Sequence, residues 1–253
     1  MPALDNSYWQ ERLRNRSGTR YAEAWRDRYI DGAWKRALRK AFSRMKGVRS
    51  VLDVGCGDGH IGSWLQQQFG VKVFGVDAYE WNGTNALHGF AVVDAEAKGA
   101  FRAVAGGKRF DVAMTTTVLA HTENWRAIVD NMIEVARYLV ILENLQSPVP
   151  PWQVGLSYKR PLPWPELTEL AKSRGLQLEL WEPVTVIDTR LFKYLPTWLA
   201  HRVTAPLDWL ATKWVRASDA RQQLCVFKVP ERGESTVTRG QAAATTGNPG
   251  ETR

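Results

Sequence analysis

Cysteine is nearly missing from this chain: the 253 residues contain two, Cys56 and Cys225. That supports neither a disulfide framework nor a cysteine-based zinc cluster, and a reducing cytoplasm is the expected compartment. Histidine is scarce too, with four residues, and no Cys/His ligand cluster is visible, so no metal is expected. No apolar run approaches the roughly 18 residues that a spanning helix needs. Met1 to Arg20 is polar and charged, without the apolar stretch of a secretory signal. No internal repeat occurs. What remains is a chain long enough to bury one full core with additions. Its 44% hydrophobic share is that of a globular protein. Tryptophan is abundant, with 12 residues.

The net charge of +8 is gathered at one end. Residues 1–49 hold 13 lysines and arginines against five acids, so a basic arm precedes a near-neutral body. Such an arm suits phosphate, on nucleic acid or anionic lipid, or is simply a solvated helix face. Residues 1–48 form that arm, with helices expected over Ser7–Arg16 and Tyr21–Met45. Tyr21, Ala24, Trp25, Tyr29 (or Arg28), Ala33, Ala37 and Phe42 fall roughly on one stripe of the second. Tyr8 and Trp9 are lid or packing residues.

The chain is organised around Val51-Leu52-Asp53-Val54-Gly55-Cys56-Gly57-Asp58-Gly59-His60-Ile61. A short apolar run broken by one acid reads as a strand. Three alternating glycines read as a tight turn, and the amphipathic run from Ile61 to Phe69 as a helix. The glycines permit backbone angles that a Cβ forbids and let the chain lie against a ligand. The helix behind them offers its positive end. Dinucleotide sites use G-x-G-x-x-G; here the spacing is G-x-G-x-G, with His60 in the sixth place.

Asp53 to Gly59 resembles the first motif of class I S-adenosylmethionine-dependent methyltransferases, acid-x-G-x-G-x-G. The resemblance covers about Val51 to Val229. It implies an α/β fold with a doubly wound, seven-stranded, mostly parallel sheet, N-terminal helices and S-adenosyl-L-methionine as cofactor. It implies cofactor contacts from Asp53, Gly55, Cys56, Gly57 and Gly59. Val71 to Asp77 reads as the second strand, and Asp77, 22 residues after Gly55, stands where a carboxylate accepts from a ribose diol. After a third strand, Phe90 to Val93, Asp94 matches the family's adenine-binding acid, with a neighbouring backbone N–H, that of Ala95, meeting the ring. Asp94 as a helix cap is the other reading. Phe110 to His121 resembles the fourth-strand motif, which implies backbone contacts from Thr115 and Thr116. His121, with an ordinary pKa near 6.5, is the candidate general base, packing being its other role.

Trp125–Tyr138 reads as a helix and Leu139–Asn144 as a fifth strand buried on both faces. Glu143 and Asn144 at its tip are further candidates for substrate contact. A proline-rich loop runs from Gln146 to Pro165. The helix Glu166–Arg174 ends at Gly175, and Leu176–Trp181 alternates as a sixth strand. Residues 185–220 are a helical, aromatic and basic insertion before the seventh strand, Gln222–Val229. Three uses stay open for it: a pocket wall or lid, contact with a membrane surface through 190–216, or a homodimer interface. Residues 231–253 lack apolar periodicity and are expected to be disordered.

The expected function is methyl transfer to a small-molecule or lipid-like acceptor, to oxygen, by positioning. The alternatives are an RNA methyltransferase using the basic arm and a scaffold without catalysis. Thr115-Thr116-Thr117-Val118 stands where an Asn-Pro-Pro-aromatic sequence would signal base-amino methylation, so nucleic acid is not the expected partner. The intact acids speak against the scaffold.

Overall fold

The computed structural model describes residues 21–81, 84–144, 162, 164–186, 199–216 and 220–231. The expected helix at Ser7–Arg16, most of the proline-rich loop and the tail beyond Glu231 lie outside them, as does much of the 185–220 insertion.

The elements run α1 (Tyr21–Arg44), β1 (Ser50–Val54), α2 (His60–Phe69), β2 (Lys72–Asp77), β3 (Gly89–Val92), α3 (Arg102–Ala105), β4 (Phe110–Thr116), α4 (Trp125–Val135), β5 (Ala136–Glu143), α5 (Trp164–Ser173), β6 (Gln177–Thr185), α6 (Ala205–Ala211) and β7 (Gln222–Lys228). The strands make the seven-stranded sheet that the sequence implies, in the order β3-β2-β1-β4-β5-β7-β6. β7 is antiparallel to β5 and β6, and the other pairs are parallel.

Period-two alternation divides the strand residues between two cores. Leu52, Val54, Ala113, Leu139 and Ile141 face the layer of Ile128, Met132, Leu167 and Leu170 from α4 and α5. Val51, Val73, Val112, Met114 and Val140 face Leu38, Ala41, Phe42 and Leu65 from α1 and α2. Asp53 belongs by parity to the second face, which places its carboxylate beneath α2. The chain leaves β1 outward to β2 and β3, then returns to β4 on the other side. Neighbouring loops therefore part above β1 and β4, and a crevice opens at the strands' C-terminal ends.

Most boundaries fall within two residues of expectation, and two differ by more. α4 ends at Val135, and β5 takes Ala136, Arg137 and Tyr138. Ladder pairing decides this: Ala136 lies opposite Phe110, Tyr138 opposite Val112, and Arg137 pairs with Asp111. β6 runs four residues further, to Thr185, through Pro183. An edge strand tolerates a proline there, and the register slips between Pro183 and Thr185.

α1 lies across the second face. Lys40 pairs with Glu182 of β6, and Trp34 Nε1 donates to Gln222 Oε1 at 3.1 Å. Part of the arm's charge is thus used within the chain.

Candidate active site

A cavity of ≈ 380 Å³ sits at the C-terminal ends of β1 to β4. Asp53, Gly55, Cys56, Gly57, Asp77, Asp94, Ala95, Thr116 and His121 all stand on its wall. Of the cofactor-contact residues expected from sequence, Gly59 and Thr115 are not on it.

The glycine turn explains its own composition. Gly55 adopts φ 69° and donates to Val76 O at 2.8 Å. A Cβ there would lie 2.4 Å from Val118 Cγ2, so the loops after β1 and β4 approach only because the side chain is missing. Gly57, at φ 56°, opens on the cavity: a Cβ would meet no atom within 4 Å. Gly59 caps α2 in the left-handed region and packs on Leu87. Its role is the entry into the helix.

Asp53 is 2% exposed, and its Oδ2 has no hydrogen-bond partner. Burial, then Asp77 and Asp58, push its carboxyl up to about 7. A buried, unpaired carboxylate is costly unless a cation or donor arrives. Asp77 ties two loops: its Oδ2 accepts from Gly57 N at 3.0 Å and its Oδ1 from Tyr79 N at 3.1 Å. Each oxygen has a further lone pair for a ligand. Asp94 is exposed and accepts from Glu96 N at 3.0 Å, so it closes a turn instead of capping a helix. Burial and the neighbouring carboxylates push the Cys56 thiol far above its ordinary range, which leaves it a wall, not a nucleophile.

Two side chains behind the wall hold these loops in place. Asn131, buried on α4, accepts from Gly99 N at 2.9 Å. It donates to Ala95 O at 2.9 Å and Ala97 O at 2.8 Å. It therefore fixes the segment that carries Asp94 and Ala95. Glu143 accepts from Val118 N at 2.5 Å and Leu119 N at 2.7 Å, and so anchors the turn after β4. Burial pushes its carboxyl up to about 7 against the pull of these N–H groups. The expectation that Glu143 meets substrate is overturned: it is 0% exposed and stands off the cavity wall, and Asn144 stands off it too.

Within that turn Thr117 has φ 55°, the one left-handed non-glycine backbone among the described residues. Its N–H donates to Leu142 O at 2.7 Å. Such a conformation costs of order 1–3 kcal/mol and persists where the surroundings enforce it. His121 ends the short 3-10 turn Leu119–His121, is half-buried, and faces the cavity. Thr115 is fully buried within β4, one residue too early to reach the cavity.

Sequence reasoning missed Trp34, Tyr79 and Trp81 on the wall, and the ties of Asn131. A buried polar residue on the apolar face of α4 was a readable signal for Asn131. Tyr79 and Trp81 follow the acid at the tip of β2 and were within reach of the same argument. Trp34 carries no local signal. His60 also lines the cavity, with Nε2 2.8 Å from Asp31 Oδ1 and 3.2 Å from Lys35 Nζ, which pins α1 to the glycine turn.

A family model described as a methyltransferase domain matches residues 24–193. No curated protein matches by sequence. Among solved structures, an S-adenosylmethionine-dependent methyltransferase from Archaeoglobus fulgidus is 17% identical at a TM-score of 0.51, covering 89% of this chain and all of that one. Magnesium protoporphyrin IX methyltransferase from Synechocystis PCC 6803, solved with bound S-adenosylmethionine, is 15% identical at 0.55, covering 91% and 100%. A putative methyltransferase from Haloferax volcanii, in complex with its Trm112 activator, is 19% identical at 0.54, covering 82% and 95%. At such identities the likeness is one of fold.

Proposed function

We propose, from the premise that this chain belongs to the methyltransferase-domain family and is an S-adenosylmethionine-dependent methyltransferase, that it methylates an oxygen of a small-molecule or lipid-like acceptor. The observation that carries the cofactor half is the convergence of Asp53, Gly57 and Asp77 on one cavity. The residues present fit the cofactor. The orphaned, buried carboxylate of Asp53 suits its ammonium group. Asp77 retains acceptor capacity for ribose hydroxyls, and Gly57 leaves room where a side chain would intrude. Asp94 and the backbone at Ala95 would meet the adenine, and the backbone of Gly55 and Thr116 would flank the methionine portion.

When bound, S-adenosylmethionine supplies a methyl carbon on a positively charged sulfur, which an acceptor's lone pair displaces in line. The chain's task is then to position the acceptor and take its proton. His121 is the proton acceptor we assign, since it faces the cavity from a turn that Glu143 holds rigid. An imidazole titrates near enough to neutrality to take a hydroxyl proton. Trp34 and Trp81 supply apolar wall, which favours a ring or an acyl chain over a polyanion.

Incubating the protein with methyl-labelled cofactor and cell extract tests this reading. Label is expected in the small-molecule or lipid fraction, and label confined to protein or RNA contradicts it. His121→Ala is expected to lower turnover far more than cofactor affinity. Equal turnover would leave His121 a packing role.

A further inference from the structure

The stretch 202–216 wears its apolar residues on the outside. Val203, Leu207, Leu210 and Trp214 are 39, 54, 46 and 82% exposed, and Trp209 is 45% exposed. Leu207, Trp209 and Leu210 stand on α6, Val203 in the π-helical turn Ala200–Thr204 before it, and Trp214 in the turn after it. The opposite side faces inward: Ala205 and Asp208 are buried, and Asp208 Oδ1 accepts from Val186 N at 2.8 Å. A surface helix normally turns its apolar stripe to the core, and this one reverses the rule. Elsewhere among the described residues, Val92 and Leu178 are the exposed large apolar side chains, and they stand singly. Scattered residues of that kind need no explanation, whereas five exposed large apolar side chains between 203 and 214 do.

The charges complete the pattern. Arg202, Lys213 and Arg216 are exposed beside these side chains. Asp208 is the one acid from 199 to 216, and it is spent inside. Lys213 Nζ lies 3.7 Å from the Trp209 ring. The outward face is therefore apolar and cationic, with no acid on it. A second copy would bring like charges together across a two-fold contact. A protein interface core also tends to exclude lysine. Tryptophan and leucine flanked by lysine and arginine suit the level where acyl chains meet anionic headgroups. No helix among the described residues is long and apolar enough to cross a membrane, so the contact lies in the surface plane.

We propose that the outward face of residues 202–216 docks this protein on an anionic lipid bilayer. This does not depend on which molecule accepts the methyl group, because the stretch contributes no residue to the cavity wall. It gives the insertion a use other than lid or dimer contact.

Co-sedimentation of the full chain with vesicles tests it. Binding is expected to vesicles of phosphatidylcholine mixed with phosphatidylglycerol, to be weak on phosphatidylcholine alone, and to fall with added salt. Lys213→Glu with Arg216→Glu should weaken partitioning at least about tenfold, since each cation near a charged surface contributes roughly fivefold and two are lost. Separately, Trp209→Ser with Trp214→Ser should weaken it at least about tenfold by removing two aromatic side chains from the interface. Both double variants should keep the wild-type melting temperature and the wild-type affinity for S-adenosylmethionine. That separates loss of docking from misfolding, and from failure of the methyltransferase reading. No binding to anionic vesicles, equal binding by the variants, or a dimer in light scattering that the same substitutions disperse would each overturn the proposal. So would tighter binding to RNA than to the vesicles.

Discussion

The cavity rim and the 202–216 stretch handle polar and apolar groups in opposite ways. On the rim, carboxylates and one amide turn inward, and Asp77, Asn131 and Glu143 each hold backbone N–H groups of neighbouring loops. On the stretch, the one acid turns inward and the large apolar side chains turn out. The rim is built against its own chain, so its geometry is fixed before any ligand arrives. The stretch is anchored along one side and leaves the other for something else. Substitutions should therefore cost stability on the rim and almost none on the stretch.

Gly55→Val is the harshest way to probe that contrast. It combines a left-handed backbone with a clash against Val118, and unfolding measurements should show a loss of about 3–5 kcal/mol. A mild effect would mean that the loops after β1 and β4 are not locked together.

Glu143→Ala comes next. It leaves the N–H groups of Val118 and Leu119 buried without a partner, at about 2–3 kcal/mol. Turnover should fall more than cofactor affinity, because the turn carrying His121 is loosened. If denaturant midpoints match the wild type, the rim is not held as described.

The pH dependence sharpens the same point. The buried carboxyls of Asp53 and Glu143 are raised to about 7 from ordinary values of 3.8 and 4.5. Between those values and 7 the folded chain holds more protons than the unfolded chain, so stability falls as pH rises through that window. The ligand-free protein should melt lower at pH 8 than at pH 5, and Asp53→Asn should flatten part of the slope. A melting temperature that rises over this range would contradict the burial argument.

At the other end of the scale, Leu207→Ser should change unfolding free energy by less than about 0.5 kcal/mol. A larger loss would mean that the stretch is covered by its own chain.

The contrast also explains what could be read from sequence. The glycine turn and the acid ending β2 were legible because each is a local pattern with a local cause, and the seven-stranded sheet was implied by the resemblance that those patterns carry. Glu143 was misread as a substrate contact because its partners lie 24 and 25 residues earlier in the chain. Backbone contacts were expected from both Thr115 and Thr116, yet of the two only Thr116, at the end of β4, lines the cavity. The start of β5 was placed three residues late because ladder pairing with β4 overrode the helical pattern of α4. Trp34 reaches the cavity from a helix whose docking has no local signature. The 185–220 insertion was legible as helical, aromatic and basic, but which of its side chains faced water was not.

The central claim is that Asp53, Gly57 and Asp77 grip one ligand in one cavity. Calorimetric titration of S-adenosylmethionine into the wild type and Asp77→Ala tests it most directly. Removing this paired acceptor should weaken binding by about 1–3 kcal/mol with the fold intact. Unchanged affinity in a folded Asp77→Ala variant would contradict the claim.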